Sequence, residues 1–122
     1  MMKAEIKALH SPDVYDLVNY SPEKEDNFCF LLQVLAGLKD EEGEESFDIV
    51  VCTPKWLMEN HNRKDVVFGR HRIIVFEYDY QRLLTSLKTY IESFNESNWI
   101  ELGEKIGRIG KWEFEDYCPQ TM

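Results

Sequence analysis

Two apolar runs flank a short acidic segment, and this arrangement constrains the fold of the chain more than any other feature. The first run, FCFLLQVLAGL, covers residues 28–38, and the second, SFDIVVC, covers residues 46–52. The segment DEEGEE between them contains Gly43, which can take the positive φ that tight turns require. Together they predict a β-hairpin whose first strand is apolar on both faces and lies in the interior of a sheet.

Three further strands are predicted from short apolar or alternating segments. They cover residues 4–9 (AEIKAL), 72–77 (RIIVFE) and 111–117 (KWEFEDY). The mostly apolar composition of RIIVFE favours an internal position in the sheet. In the last strand, alternation predicts that Trp112 and Phe114 face the core and that Glu113 and Glu115 face solvent.

Three helices are predicted from capping residues and apolar periodicity. Thr53-Pro54 begins a short helix that ends near NHNRKD, and Asp79 caps a second one. Asn98 opens a capping-box pattern for a third helix over residues 99–107. The second helix carries an apolar stripe suited to packing on a sheet, formed by Leu83, Leu84, Leu87, Tyr90, Ile91 and Phe94.

The order of these elements predicts one α+β domain spanning residues 1–122. We expect a mainly antiparallel sheet of four to five strands, with two to three helices packed on one face. Hairpin-linked strands come first in the chain and helices gather later, which is the order typical of this class. The sequence leaves the strand order and the oligomeric state open.

Charge is the main functional signal. The formal net charge is −9, and residues 1–60 hold 13 acidic against 5 basic side chains. This balance disfavours direct binding to nucleic acid or to an anionic membrane surface. The N-terminal stretch resembles neither a signal peptide nor a membrane span, and the odd number of cysteines fits reduced thiols, so we expect a cytoplasmic protein.

A catalytic constellation is not predicted. The turn DEEGEE lacks the alternating ligand positions of a calcium loop, and an exposed turn does not raise a carboxyl pKa as a glycosidase requires. The histidines, His10, His61 and His71, have no metal-ligand spacing with one another or with a cysteine. We therefore expect no enzyme activity, no catalytic residue, no metal and no cofactor.

Two other groups of residues receive structural interpretations. The basic segment 62–72 (NRKDVVFGRHR) is expected to be a solvated loop or a charge partner for the acidic turn. The tryptophans Trp56, Trp99 and Trp112 are expected to contribute to the core.

The acidic turn is either a solvated bend that keeps the edge of the hairpin soluble or part of a surface that meets a positively charged protein partner, and we predict the second. Carboxylates on a bend can attract a basic partner over long range and occupy the places of phosphates. The predicted partner-binding residues are Asp40, Glu41, Glu42, Glu44, Glu45, Asp48 and Glu59.

Two segments, ESFDIVVCTPKWL and KWEFEDY, are the most specific pieces of a pattern that runs from about Ile6 to Tyr117. Through this pattern the chain resembles the immunity protein 8 family of bacterial polymorphic toxin systems. The matching positions are Glu45, Phe47, Cys52, Pro54, Trp56, Trp112, Glu113 and Phe114. The resemblance implies an α+β fold and a non-catalytic, stoichiometric inhibitor that binds and neutralises the C-terminal domain of a cognate toxin. The acidity favours a toxin directed at nucleic acid.

Two alternatives remain open from the sequence. One is a small enzyme or ligand-binding α+β domain with a pocket between sheet and helices, where a histidine would meet carboxylates. The other is a subunit of a larger complex that binds through the edge of its sheet.

Overall fold

The computed structural model describes residues 1–115, and in them it confirms the α+β prediction. The strands are β1 (Met2–His10), β2 (Cys29–Leu38), β3 (Glu45–Cys52), β4 (Arg72–Ile74), β5 (Asn95–Glu96) and β6 (Lys111–Trp112). The helices are α1 (Pro54–Asn60), α2 (Tyr80–Ile91) and α3 (Trp99–Ile106). In this part of the chain the strand order is β4-β3-β2-β1-β5, and β6 pairs with β3 beside β4.

The predicted hairpin forms the centre of the sheet. Strand β2 lies between β1 and β3 and is antiparallel to both. Its core-facing residues alternate with partly exposed ones, and the register places Leu32 opposite Ile49 and Val34 opposite Phe47. These four side chains are 0% exposed. Burial of these apolar side chains, at about 25 cal/mol per Å² of apolar surface removed from water, stabilises the pairing of β2 with β3.

The edge of the sheet beyond β3 differs from the prediction. Only Arg72–Ile74 of the segment 72–77 is a strand, and it pairs in parallel with the end of β3, so the sheet is mixed. It lies at the edge rather than in the interior, and Phe76 is 77% exposed. The predicted internal position was therefore wrong. The apolar character of a segment does not determine which strands lie beside it in the sheet.

The end of the described chain also departs from strict alternation. Strand β6 stops at Trp112, because the chain turns and the Glu115 N–H donates to the Trp112 carbonyl. Trp112 faces the core and Glu113 is exposed as predicted, but Phe114 is 40% exposed and Glu115 is partly buried. Residues 116 and 117 of the predicted strand lie outside the described residues.

Strand β5 was not anticipated from the sequence. Its two polar residues, Asn95 and Glu96, have no strand-like pattern. They pair with Met2 and Lys3 of β1, because α2 ends beside that strand and delivers the chain to its free edge. The sheet therefore gains one strand beyond the predicted four to five.

The predicted helix starts are confirmed. The side chains of Thr53, Asp79 and Asn98 each accept a hydrogen bond from the backbone N–H three residues later. The stripe of α2 buries Leu83, Leu87 and Ile91, and α3 buries Leu102 and Ile106 in the same core.

An aromatic cluster packs against the core beneath the long segment between β1 and β2. Tyr20, Phe28, Phe30 and Tyr78 meet mostly edge to face, with ring centroids 4.9 Å apart for Tyr20 and Tyr78. The Tyr78 hydroxyl donates a hydrogen bond to the carbonyl of Leu17. These contacts attach a polar segment to the core.

Cys29 and Cys52 lie directly opposite each other on the neighbouring strands β2 and β3, and both are free thiols. Burial, followed by the nearby Cys52, raises the pKa of the Cys29 thiol. A raised pKa lowers the thiolate fraction, so this cysteine is poorly suited to nucleophilic chemistry. Cys118 lies outside the described residues.

Candidate partner-binding surface

The acidic turn protrudes from the end of the β2–β3 hairpin. Residues 39–44 are all exposed, including the carboxylates of Asp40, Glu41, Glu42 and Glu44. The backbone reverses through positive φ at Asp40 (63°) and at Gly43 (101°), which confirms the role predicted for that glycine. Four like charges are therefore presented to solvent on one short bend.

Strand β1 holds the base of this turn. The Lys7 ammonium donates to the Glu41 carbonyl at 2.7 Å, and the Lys39 N–H donates to the Lys3 carbonyl at 2.9 Å. The turn also folds back closely onto β2, since a Cβ atom at Gly37 would lie 2.1 Å from the Gly43 oxygen. The position of the acidic residues is thus defined by contacts with the sheet.

Glu45 has a different environment from the other carboxylates of the turn. It is partly buried, and its Oε1 and Oε2 atoms accept hydrogen bonds from the indole N–H groups of Trp99 and Trp112, each at 2.8 Å. Charge-assisted bonds of this kind are stronger than those between neutral groups. Glu45 therefore joins the base of the turn to α3 and β6.

The remaining predicted site residues do not join the turn in one patch. Asp48 lies within β3, opposite Lys111 of β6, and is only partly exposed. Glu59 lies on α1 beyond the other end of β3, where it accepts a hydrogen bond from Asn27. The length of β3 separates it from the turn, roughly 25 Å at about 3.3 Å per residue.

A groove of about 840 Å³ begins at Glu45 and runs along α3. We call it the tryptophan groove. It is lined by Glu45, Arg70, Trp99, Ile100, Gly103, Glu104, Gly107, Arg108, Trp112, Phe114 and Glu115. None of these positions suggested a groove in the sequence, because the segments that form it are far apart along the chain.

Trp112 occupies a fixed position in this groove. Its ring stacks on Phe47 with 6.0 Å between centroids and 6° between planes. The backbone of α3 also comes so close to Trp112 that a Cβ atom at Gly103 would lie 2.7 Å from the ring. Two apolar side chains in the groove remain accessible, Ile100 at 63% and Phe114 at 40% exposure.

An ion-pair cluster occupies the end of the groove near the C-terminus of α3. The Arg70 guanidinium contacts Glu115 at 2.6 Å, and His71 Nε2 lies 3.0 Å from the same carboxylate. Burial opposes ionisation of Glu115, but Arg70 and His71 outweigh it and hold the pKa of this carboxyl below its ordinary value. Arg70 thus pairs with Glu115, and residues 62–70 of the basic segment are all exposed, which agrees with the solvated-loop alternative.

A second cleft, of about 560 Å³, lies between β4, the segment that follows it, and α2. Its lining is mainly apolar and includes Ile73, Phe76, Leu83 and Tyr90. Among the described residues that line this cleft and the tryptophan groove there is no histidine. Residues 1–115 also contain no group of three His, Cys, Asp or Glu side chains placed to hold a metal ion.

The described helices are all too short or too polar to cross a membrane. Fold and surface together define a small α+β domain that presents an acidic turn beside an aromatic groove. The sequence model of the immunity protein 8 family matches residues 4–117, and the chain belongs to that family. It is therefore an immunity protein, and the partner that this family implies is a toxin. Comparisons with curated proteins and with solved structures give no match.

Proposed function

We propose that this protein binds a cognate bacterial polymorphic toxin and neutralises it as a non-catalytic, stoichiometric inhibitor in the cytoplasm. The observation that carries the proposal is the exposed acidic turn, which presents Asp40, Glu41, Glu42 and Glu44 at a position held by β1. Because the turn is held in place, little conformational entropy is lost when a partner binds it.

The charge of the turn also indicates what kind of toxin it meets. Enzymes that act on nucleic acid carry basic clefts, and an acidic inhibitor associates with them rapidly through long-range attraction. We therefore propose that the acidic turn faces a basic surface on the C-terminal domain of a toxin directed at nucleic acid. Asp48 and Glu59 are then peripheral to the contact, since they lie away from the turn.

Co-expression tests this function directly. The C-terminal domain encoded by the gene upstream would be expressed in a bacterial host alone, with this protein, or with an unrelated acidic protein of similar charge. We expect growth to be restored only by this protein, and the two chains to co-purify in equimolar amounts. Killing that continues in its presence, without co-purification, would refute the proposal.

A second candidate function is supported by the apolar cleft between β4 and α2. A ligand-binding α+β domain would use such a pocket between sheet and helix, and its volume of about 560 Å³ suits a small molecule. Thermal unfolding in the presence of a library of small apolar molecules tests this candidate. A compound whose stabilising effect disappears in Phe76→Ser, at an exposed position of the cleft wall, would support it.

A further inference from the structure

The tryptophan groove begins at the residue where the acidic turn ends. Glu45 ends the turn and also lines the groove, where it holds Trp99 and Trp112 through its two carboxylate oxygens. From there the groove follows α3, whose eight residues span about 12 Å. A partner that contacts the end of the turn at Glu44 therefore lies close to the groove.

The groove has the chemistry of an anchor pocket. Ile100 and Phe114 leave apolar surface in contact with water, and the Trp112 ring is held by Phe47 and by the α3 backbone. Burying large apolar side chains in a preformed, aromatic-lined depression contributes most of the affinity in many protein interfaces. Such a pocket also loses little side-chain entropy when it is filled, because its rings are already ordered.

Charge selects the partner that can fill it. The end of the groove at Glu45 directly follows the exposed carboxylate of Glu44, the last residue of the turn, whereas at the other end Arg70 is paired with Glu115. A partner side chain that enters the groove near Glu45 should therefore be flanked by lysine or arginine residues, because the carboxylates at this end attract positive charge. The groove and the turn thus complement an apolar residue set within a basic surface.

We propose that the tryptophan groove receives an apolar or aromatic side chain of the toxin, flanked by basic residues that contact the acidic turn. This inference rests on the proposed function and adds the place where the anchoring side chain of the toxin binds. The turn then governs mainly the association rate, and the groove governs mainly the dissociation rate.

A matched pair of truncations tests the groove. Ile100→Ser removes an accessible apolar side chain from it, and Val18→Ser removes one of similar exposure, 60% against 63%, from the segment between β1 and β2. Binding to the upstream-encoded toxin domain would be measured by surface plasmon resonance, with the unfolding midpoint of each variant as a check on folding. We expect Ile100→Ser to weaken binding about tenfold or more, mainly through faster dissociation, and Val18→Ser to change it less than about twofold.

A spectroscopic measurement gives a second readout that does not depend on a substitution in the groove. Incorporation of 5-fluorotryptophan into this protein alone labels its three tryptophans, and a Trp56→Phe variant identifies the signal that lies outside the groove. We expect the resonances of Trp99 and Trp112 to shift when the unlabelled toxin domain is added, and that of Trp56 to stay in place.

The outcomes separate this inference from the function on which it rests. If the unaltered protein does not bind the toxin domain, both the function and the anchor are refuted. If it binds, but Ile100→Ser binds equally well and the groove resonances do not shift, the anchor is refuted and the function stands.

Discussion

The indole N–H of Trp112 lies 2.8 Å from Oε2 of Glu45, although 67 residues separate them along the chain. Trp99 donates to the other oxygen of the same carboxylate, so one acidic residue satisfies two indoles. This arrangement gives Glu45 a structural role that its acidic neighbours in the turn do not share. Experiments on the acidic surface should therefore treat Glu45 separately from the rest.

Substitution of Glu45 should lower the free energy of unfolding. Glu45→Ala leaves two partly buried N–H groups without their acceptor, and we expect a loss of about 2–3 kcal/mol. Glu45→Gln keeps one carbonyl oxygen and should cost less, about 1 kcal/mol. Urea unfolding monitored by tryptophan fluorescence measures both, with the exposed Glu44→Ala as control. Equal midpoints for Glu45→Ala and Glu44→Ala would contradict this role.

Charge reversal of the turn should slow toxin binding without unfolding the protein. The triple variant Glu41→Lys, Glu42→Lys and Glu44→Lys removes the attraction but retains Glu45. At low salt we expect the association rate constant to fall about tenfold or more and the dissociation rate constant to change little. Stopped-flow mixing with the toxin domain measures both.

The matched control for the triple variant changes the same amount of charge at the opposite end of the sheet. Glu23, Glu25 and Asp26 are exposed and precede β2, so reversing them to lysine alters the net charge equally. If both triple variants slow association to the same extent, the turn has no special part in steering and only the overall charge matters.

A side chain at position Gly37 should lower the stability of the protein. An alanine Cβ at this position would lie 2.1 Å from the Gly43 oxygen, so the turn must move away from β2. We expect Gly37→Ala to lower the free energy of unfolding by about 1–3 kcal/mol, as overpacking commonly does. The control is Gly69→Ala, where a Cβ meets nothing within 4 Å. Chemical denaturation that gives equal stability for the two variants would show that the close approach is absent in solution.

Tyr78 should give the protein a pH-dependent contribution to stability in the alkaline range. Burial, together with Tyr80, Tyr20 and Asp16, raises the pKa of Tyr78 from 10.0 to about 12. Since the folded-state pKa is the higher one, this contribution is complete below pH 10 and is lost as the pH rises through about 12. Absorbance at 295 nm should show this tyrosine ionising after the exposed ones.

Tyr78→Phe isolates the same contribution. It removes the hydrogen bond to the Leu17 carbonyl, and we expect a loss of about 1 kcal/mol at neutral pH. The stability difference between the unaltered protein and Tyr78→Phe should stay constant up to pH 10 and then shrink. A difference that grows as the pH approaches 10 and then stays constant would mean that the hydroxyl ionises more readily in the fold than in the unfolded chain, which contradicts this prediction.

Local patterns were sufficient to predict much of this architecture. The apolar run SFDIVVC was identified as the second strand of the hairpin, and its residues Phe47, Ile49 and Val51 are all 0% exposed. Thr53, Asp79 and Asn98 were identified as caps because a capping bond spans three residues and can be read within one short segment. The exposed acidic turn followed from its composition, while its contact with a partner stays a prediction.

Other features depended on contacts that local sequence does not encode. The polar pair Asn95 and Glu96 forms a strand only because β1 offers a free edge. Arg72–Ile74 is parallel and at the edge because the preceding loop returns the chain in the same direction as β3. Glu115 is drawn into an ion-pair cluster by Arg70 and His71, which the alternation of KWEFEDY does not reveal.

Periodicity, capping and charge within a few residues were enough to predict the fold class, the central hairpin, the helix starts and the exposed carboxylates. Three features became visible only in the folded chain: Glu45 is shared by Trp99 and Trp112, Glu59 lies apart from the turn, and a groove begins where the turn ends. Hydrogen bonds and cavities depend on distance in space, and the chain brings these residues together, or keeps them apart, only when it packs into one core.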